Sequence, residues 1–282
     1  MKIIQLNKGT LNLPDCWEDL TPKQTEFTFA QLIRLYNQEL LPFQFQLALL
    51  VEFTGYKPSK KFFKRKAEEE KENINFNLIQ LAQQISFAFT LEDHRIIPNN
   101  DFKRNPFHFI DTEAPYFNRN ITVETNITAK QLSDCLDLLT AYGSTEDADV
   151  KQHCLYKLFA VLYQYTMLYA CSFPLEVAFG VLCWFTGIAS FFQHHPVYSV
   201  LFNREKKSED DTDKINLGMN EIILYLKKEG YSDAENMSVI DFFNAQLKSL
   251  KDSISHALGS GIKEDELSHQ TGISISNIQR LS

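Results

Sequence analysis

Apolar residues along this chain recur at helical spacing more often than in strict alternation, and two stretches carry that pattern most densely. "PFQFQLALLVEFTG" runs from Pro42 to Gly55, and "PLEVAFGVLCWFTG" from Pro174 to Gly187. Each is a proline, ten mostly apolar residues, then Phe-Thr-Gly. Proline fits the first turn of a helix, where its missing N–H costs nothing, and glycine directly after an apolar helix suits a left-handed C-cap. Each stretch is therefore predicted as a helix of about three turns that stops at its glycine.

Two further landmarks recur in the same order. Thr21-Pro22-Lys23-Gln24 and Thr128-Ala129-Lys130-Gln131 both read as helix starts with a threonine N-cap, followed by Phe27, Leu32, Leu35 and Tyr36 in one case and Leu132, Leu136, Leu139 and Tyr142 in the other. Beyond the two Phe-Thr-Gly segments, Phe62–Phe76 and Phe202–Leu217 each hold a basic group, an acidic run and Ile-Asn. The offset between copies grows from 107 residues (21 and 128) to 132 (42 and 174) and 141 (74 and 215). Lengthened connections in a second copy explain this drift, because loops tolerate insertion. The chain is read as two degenerate helical repeats.

The remainder fills in around them. Residues 2–13 alternate around Asn7-Lys8-Gly9, a β-hairpin signal. Arg95 to Thr125 is rich in Pro, Asn and β-branched residues and reads as extended structure or loop. Ser238 caps a helix on which Ile240, Phe243, Leu247, Leu250, Ile254 and Ala257 form a narrow stripe at spacings of three and four, which wants one partner helix in this chain or another. Gly259-Ser260-Gly261 is read as a flexible joint to the last residues. The fold class expected is mainly α, with small β-hairpin elements and a C-terminal helix-turn-helix-like appendix. The segments are a hairpin plus repeat 1 (1–95), a connector (96–126), repeat 2 (127–235), a docking helix (236–258) and a tail (259–282).

Composition narrows the function. The 282 residues are 44% hydrophobic with 23 Phe and 11 Tyr, enough for a substantial core. A net charge of −8 does not suit neutralising phosphates over the whole surface. Five scattered cysteines lack any Cys-x-x-Cys pair and read as small hydrophobes in a reducing compartment. No leader-type apolar run follows Met1, so a cytoplasmic location is expected. Leu158–Leu175 and Val177–Asn203 are both free of charged side chains, which raises a membrane hairpin as a third reading. Gln164 in the first and His194-His195-Pro196 in the second favour core helices instead.

Chemistry-bearing motifs are few. Residues 57–66, "KPSKKFFKRK", interleave six cations with Phe62 and Phe63, but an acidic run follows at once, as in a solvated linker. "DDTD" (210–213) lacks converging ligands, and neither His153-Cys154 nor His194-His195 has a second pair at zinc-ligand spacing. No phosphate-cradling loop or nucleophile elbow is present. No catalytic, cofactor or metal residue is nominated, and an enzyme is disfavoured.

Two resemblances complete the reading. "GIKEDELSHQTGISISNIQRLS" (261–282) is similar to the helix-turn-helix family: Leu267, Ile273, Ile278 and Leu281 are spaced about Gly272, with Thr271 where that family has an apolar residue. The resemblance would put Ser276, Asn277, Gln279 and Arg280 on a base-reading helix. Arg280 is its one cation, beside Glu264, Asp265 and Glu266, so nucleic acid is the alternative partner, not the leading one. "LPDCWEDLTPKQ" (Leu13–Gln24) resembles the opening of small proteins encoded among tail and structural genes of tailed phages and prophages, tail-assembly chaperones included. That likeness implies an assembly or chaperone protein whose partner is a phage structural protein or a second copy. The lack of catalytic motifs makes the expectation non-enzymatic, and the spacing of Ile240, Phe243, Leu247, Leu250 and Ile254 nominates them as the partner-binding stripe. Trp17, after Pro14, should anchor the strand-to-helix turn on the core.

Overall fold

The computed structural model describes residues 1–6, 9–55, 77–93, 95–119, 123–202 and 219–282. The basic cluster 57–66, the "DDTD" run and both Ile-Asn landmarks lie outside them. Among the described residues the protein is mainly helical, with three separate two-stranded antiparallel sheets. Two compact units emerge. The first comprises Met1–Ala114, Leu155–Ala160 and Tyr165–Trp184; the second comprises Pro115–Cys154, Val161–Gln164 and Phe185–Ser282. These units interleave along the chain, and so cut across the five sequence segments.

In the first unit, β1 (Lys2–Leu6) pairs with β2 (Gly9–Leu13), and β3 (Phe89–Glu92) pairs with β4 (Arg95–Pro98). Helix α1 (Pro22–Tyr36) opens with a full capping box: Thr21 N–H donates to Gln24 Oε1 at 3.0 Å, and Gln24 N–H returns to Thr21 Oγ1 at 3.4 Å. Its buried face is Thr25, Thr28, Phe29, Leu32 and Leu35. Phe29 thus joins the face expected from sequence, whereas Phe27 is half-buried and Tyr36 is exposed, because the buried stripe runs through 25, 28, 29, 32 and 35 and turns past both. Helix α2 (Pro42–Thr54) begins at its proline and ends at Gly55, whose φ of +66° is the left-handed cap read from sequence. Residues 77–82 are helical.

Trp17 sits at the centre of this unit. Its ring stacks on Phe29 (4.7 Å) and Phe102 (4.8 Å), meets Phe87 edge-on, and its Nε1–H donates to the carbonyl of Asn99 at 3.0 Å. Burial of a ring this size is worth about 3–5 kcal/mol against alanine, so the turn after β2 is pinned, as expected. A second aromatic group joins Phe159, Tyr165, Tyr169 and Phe173. Here Tyr165 donates to Asp111 Oδ2 at 2.6 Å, which holds that carboxyl below its ordinary range.

In the second unit, β5 (Phe117–Arg119) pairs with β6 (Val123–Thr125). Helix α3 (Ala129–Ser144) repeats the capping box through Thr128 and Gln131. It is followed by α4 (Ala148–Tyr163), and after a break by the single turn α5 (Met167–Ala170) in the first unit. Gln164, at φ +56°, makes that break, so Leu158–Leu175 is not one apolar helix. Helix α6 (Leu175–His194) corrects the second Phe-Thr-Gly reading: Gly187 lies inside it. Ile188, Ala189 and Phe192 prolong the apolar pattern and are buried, so continued packing outweighs the helix-interior cost of glycine, about 1 kcal/mol. Nor is the helix order the same in both copies, since α4 and α5 intervene between α3 and α6, while α2 directly follows α1. Trp184 and Phe185 are wholly buried, as their apolar surroundings in sequence predict. Among the described residues α6 alone has the length and apolarity to cross a membrane, and 72% of its apolar window is buried inside the protein.

A 3-10 turn at Tyr198–Leu201 precedes α7 (Met219–Lys228), α8 (Val239–Gly259), α9 (Glu264–Thr271) and α10 (Ile275–Leu281). The starts of α3 and α8 are zipped side by side, with Ala129 N–H bonded to Met237 O and Val239 N–H to Ile127 O.

Candidate functional site

The C-terminal helices bring most of the nominated residues together. Ser238 Oγ accepts from Asp241 N–H and starts α8, as the sequence predicts. The stripe on α8 finds its partners within this chain. Phe243 packs against Phe192 at 4.7 Å, Tyr198 at 5.8 Å and Phe202 at 5.3 Å. Ile254 shares a core cluster with Val200, Leu267, Ile273 and Ile278, and Leu247 and Leu250 pack on its margin. Ile240 is half-buried at the first turn. The stripe read as a partner-binding surface is thus largely taken up by the protein's own tail.

The joint to that tail is also a correction. Gly259-Ser260-Gly261 is a hydrogen-bonded helix ending, not a loose hinge. Ile262 N–H reaches Ala257 O at 3.2 Å and Gly261 N–H reaches Leu258 O at 3.0 Å, with Gly261 at φ +90°. This pair of bonds is the Schellman motif, and Ile262 adds its usual apolar contact to the cluster. The signal was available in the sequence: a helix ending in Gly followed by an isoleucine.

Helices α9 and α10 form as expected, joined by Gly272 at φ +71°, with Ser274 Oγ accepting from Asn277 N–H. The four nominated base-reading residues are differently placed. Ser276 is exposed, and its Oγ lies 3.1 Å from Ser274 Oγ. Asn277 is half-buried. Gln279 Nε2 donates to Glu264 Oε2 at 2.7 Å, and Arg280 Nη1 donates to Pro196 O at 2.6 Å. Arg280 is therefore drawn back onto the 196–197 loop, which works against presenting it to a phosphate or a guanine edge.

Sequence reasoning missed what lies next to Arg280. Lys248 and Lys251 of α8 stand with it around an open groove floored by Pro196, Val197, Leu247 and Leu281. Sequence distance hides this cluster, because its members come from three separate segments. The loop is set by His195, whose Nδ1 accepts from Val197 N–H at 3.2 Å, leaving the ring neutral with its proton on Nε2. Burial lowers the His195 pKa below its ordinary value, the ring lying between Phe191 and Tyr198. Burial also raises the Tyr198 pKa, helped by the charge of Asp241.

Elsewhere the chemistry is absorbed by structure. Burial pushes the Cys135 and Cys183 thiols well up, which keeps them protonated and unreactive. Among the described residues no three His, Cys, Asp or Glu side chains converge as metal ligands. The Leu13–Gln24 stretch lines a small cleft with Arg104, Pro106, His108 and Phe109, but Glu18 Oε1 is already engaged by Lys103 N–H at 2.6 Å. No protein-family model, curated protein or solved structure matches the chain.

Proposed function

We propose that this chain is a non-enzymatic binding and assembly protein, acting as a holding chaperone or accessory for an aggregation-prone phage or prophage structural protein. One observation carries the reading within the first unit. At the corner between α1 and α2, Tyr36 (44%), Leu41 (57%) and Phe43 (44%) are exposed within eight residues, in a unit that buries Phe29, Phe45, Phe102 and Phe107 almost completely. Such clustered exposure on an otherwise well-packed unit suits contact with another protein's apolar surface. The corner lies at the far end of α1, the helix that the phage-like stretch Leu13–Gln24 opens.

The test is suppression of client aggregation, read by light scattering with a heat-labile model client. The wild type should reduce scattering in proportion to its concentration, and Leu41→Ser with Phe43→Ser should abolish this without lowering the melting temperature. A wild type that leaves scattering unchanged, or a double variant that protects as well as wild type, sinks the reading.

A further inference from the structure

The groove beside Arg280 has two properties that point the same way. Its floor is apolar, from Pro196, Val197, Leu247 and Leu281, with Val197 49% exposed; its rim carries Lys248, Lys251 and Arg280, and among the described residues no carboxylate lines it. On a chain of net charge −8 this is a local reversal of sign. Neither lysine has a carboxylate partner among the described residues, while Arg280 spends one N–H on Pro196 O. Lys248 also borders a polar cleft that contains Glu229 and Asp252, so Lys251 and Arg280 are the cations that belong to the groove alone.

We infer that this groove docks an acidic amphipathic peptide segment of a partner protein, apolar side chains on the floor and carboxylates against the three cations. Charge complementarity selects the sign, and the floor selects the amphipathic character. An isolated acyl chain is a poorer fit, because small ligands need most of their surface enclosed and this groove is open to solvent. A peptide covers an open groove with its own backbone. Nucleic acid is poorer too: three cations neutralise few phosphates, and among the described residues no aromatic ring lines the floor for base stacking.

The site is separate from the α1–α2 corner, so the aggregation assay and groove binding fail or succeed independently. Fluorescence anisotropy on the full chain tests the inference, with a labelled peptide of about 18 residues, five helical turns, made of Leu on one face and Glu on the other. A matched peptide with Lys for Glu and a short DNA duplex serve as competitors of known chemistry. The Glu peptide should bind at least about tenfold more tightly than the Lys peptide, with affinity falling as salt rises. Lys251→Glu, on the exposed side of α8, should weaken it about tenfold with an unchanged melting curve. Arg280→Gln should weaken it as well, read alongside its melting curve because that side chain also holds the 196–197 loop. No binding of the Glu peptide, equal binding of both peptides, tighter binding of the duplex, or wild-type affinity in a folded Lys251→Glu variant would each overturn the proposal.

Discussion

The ring of Phe107 rests directly on the backbone of Gly180 in α6. A Cβ built at residue 180 would overlap Phe107 Cε2 and lie 2.9 Å from both Cδ2 and Cε2 of Phe29. Both rings are fully buried and cannot swing aside. Alanine is the better helix former by about 1 kcal/mol, yet here overpacking should win. Gly180→Ala is expected to destabilise the protein by about 1–3 kcal/mol in urea unfolding, and adding Phe107→Leu should recover part of that loss. Stability equal to or above wild type in the single variant would show that the rings give way.

The two capping boxes look alike in sequence but should not cost the same to break. Gln24 closes its box, its Oε1 accepting from both the N–H and the hydroxyl of Thr21, and among the described residues its side chain reaches no second helix. Gln131 also donates from Nε2 to Val161 O at 3.0 Å and Leu162 O at 3.3 Å, carbonyls in the last turn of α4; Val161 O accepts from Gln164 N–H as well. Gln24→Ala should cost about 0.5–1 kcal/mol. Gln131→Ala should cost about 1–3 kcal/mol, because it removes part-buried bonds to a second helix as well as a cap. Equal losses in paired denaturation curves would show that the extra bonds add nothing.

The tail is part of the body's packing. Ile278 is fully buried and meets Val200 and Ile254 in one cluster. Ile278→Ala should therefore cost about 2–4 kcal/mol. Removing residues 263–282 should uncover Leu247, Leu250 and Ile254, raise binding of an apolar dye and lower the melting temperature. A truncated chain that melts as wild type and binds no dye would restore the tail as a separable appendage.

Local signals were legible where one short stretch decides the outcome. The caps at Thr21, Thr128, Ser238 and Ser274, the left-handed Gly55 and Gly272, and the anchoring of Trp17 all follow from residue types within a turn of each other. Gly187 does not end its helix, because a glycine after an apolar run marks a helix end only if the apolar pattern stops, and Ile188, Ala189 and Phe192 continue it. The groove was invisible for a different reason. Pro196, Lys251 and Arg280 become neighbours only through the packing of Val200 and Ile254 against Ile278, a long-range contact that no local spacing encodes. The stripe on α8 signals by its spacing that it needs a partner, but periodicity alone does not say which chain supplies it.

His195 offers a pH test of the loop that borders the groove. Its Nδ1 accepts the Val197 N–H, so the bond exists only while that nitrogen is unprotonated. Burial lowers its pKa in the folded protein below the ordinary 6.5, so between the two values the unfolded chain binds more protons. Stability must then rise with pH across that window. The contribution is fully present above pH 6.5 and is lost as pH falls through the lowered folded value. Melting temperatures measured at steps from neutral to mildly acidic pH should decline in wild type. In His195→Gln, whose side-chain oxygen can accept the same N–H without titrating, that part of the decline should vanish, and the difference between the two curves isolates His195 from the other histidines. Parallel curves would mean that the imidazole is as readily protonated in the folded protein as in the unfolded chain, and that the loop does not depend on its neutral form.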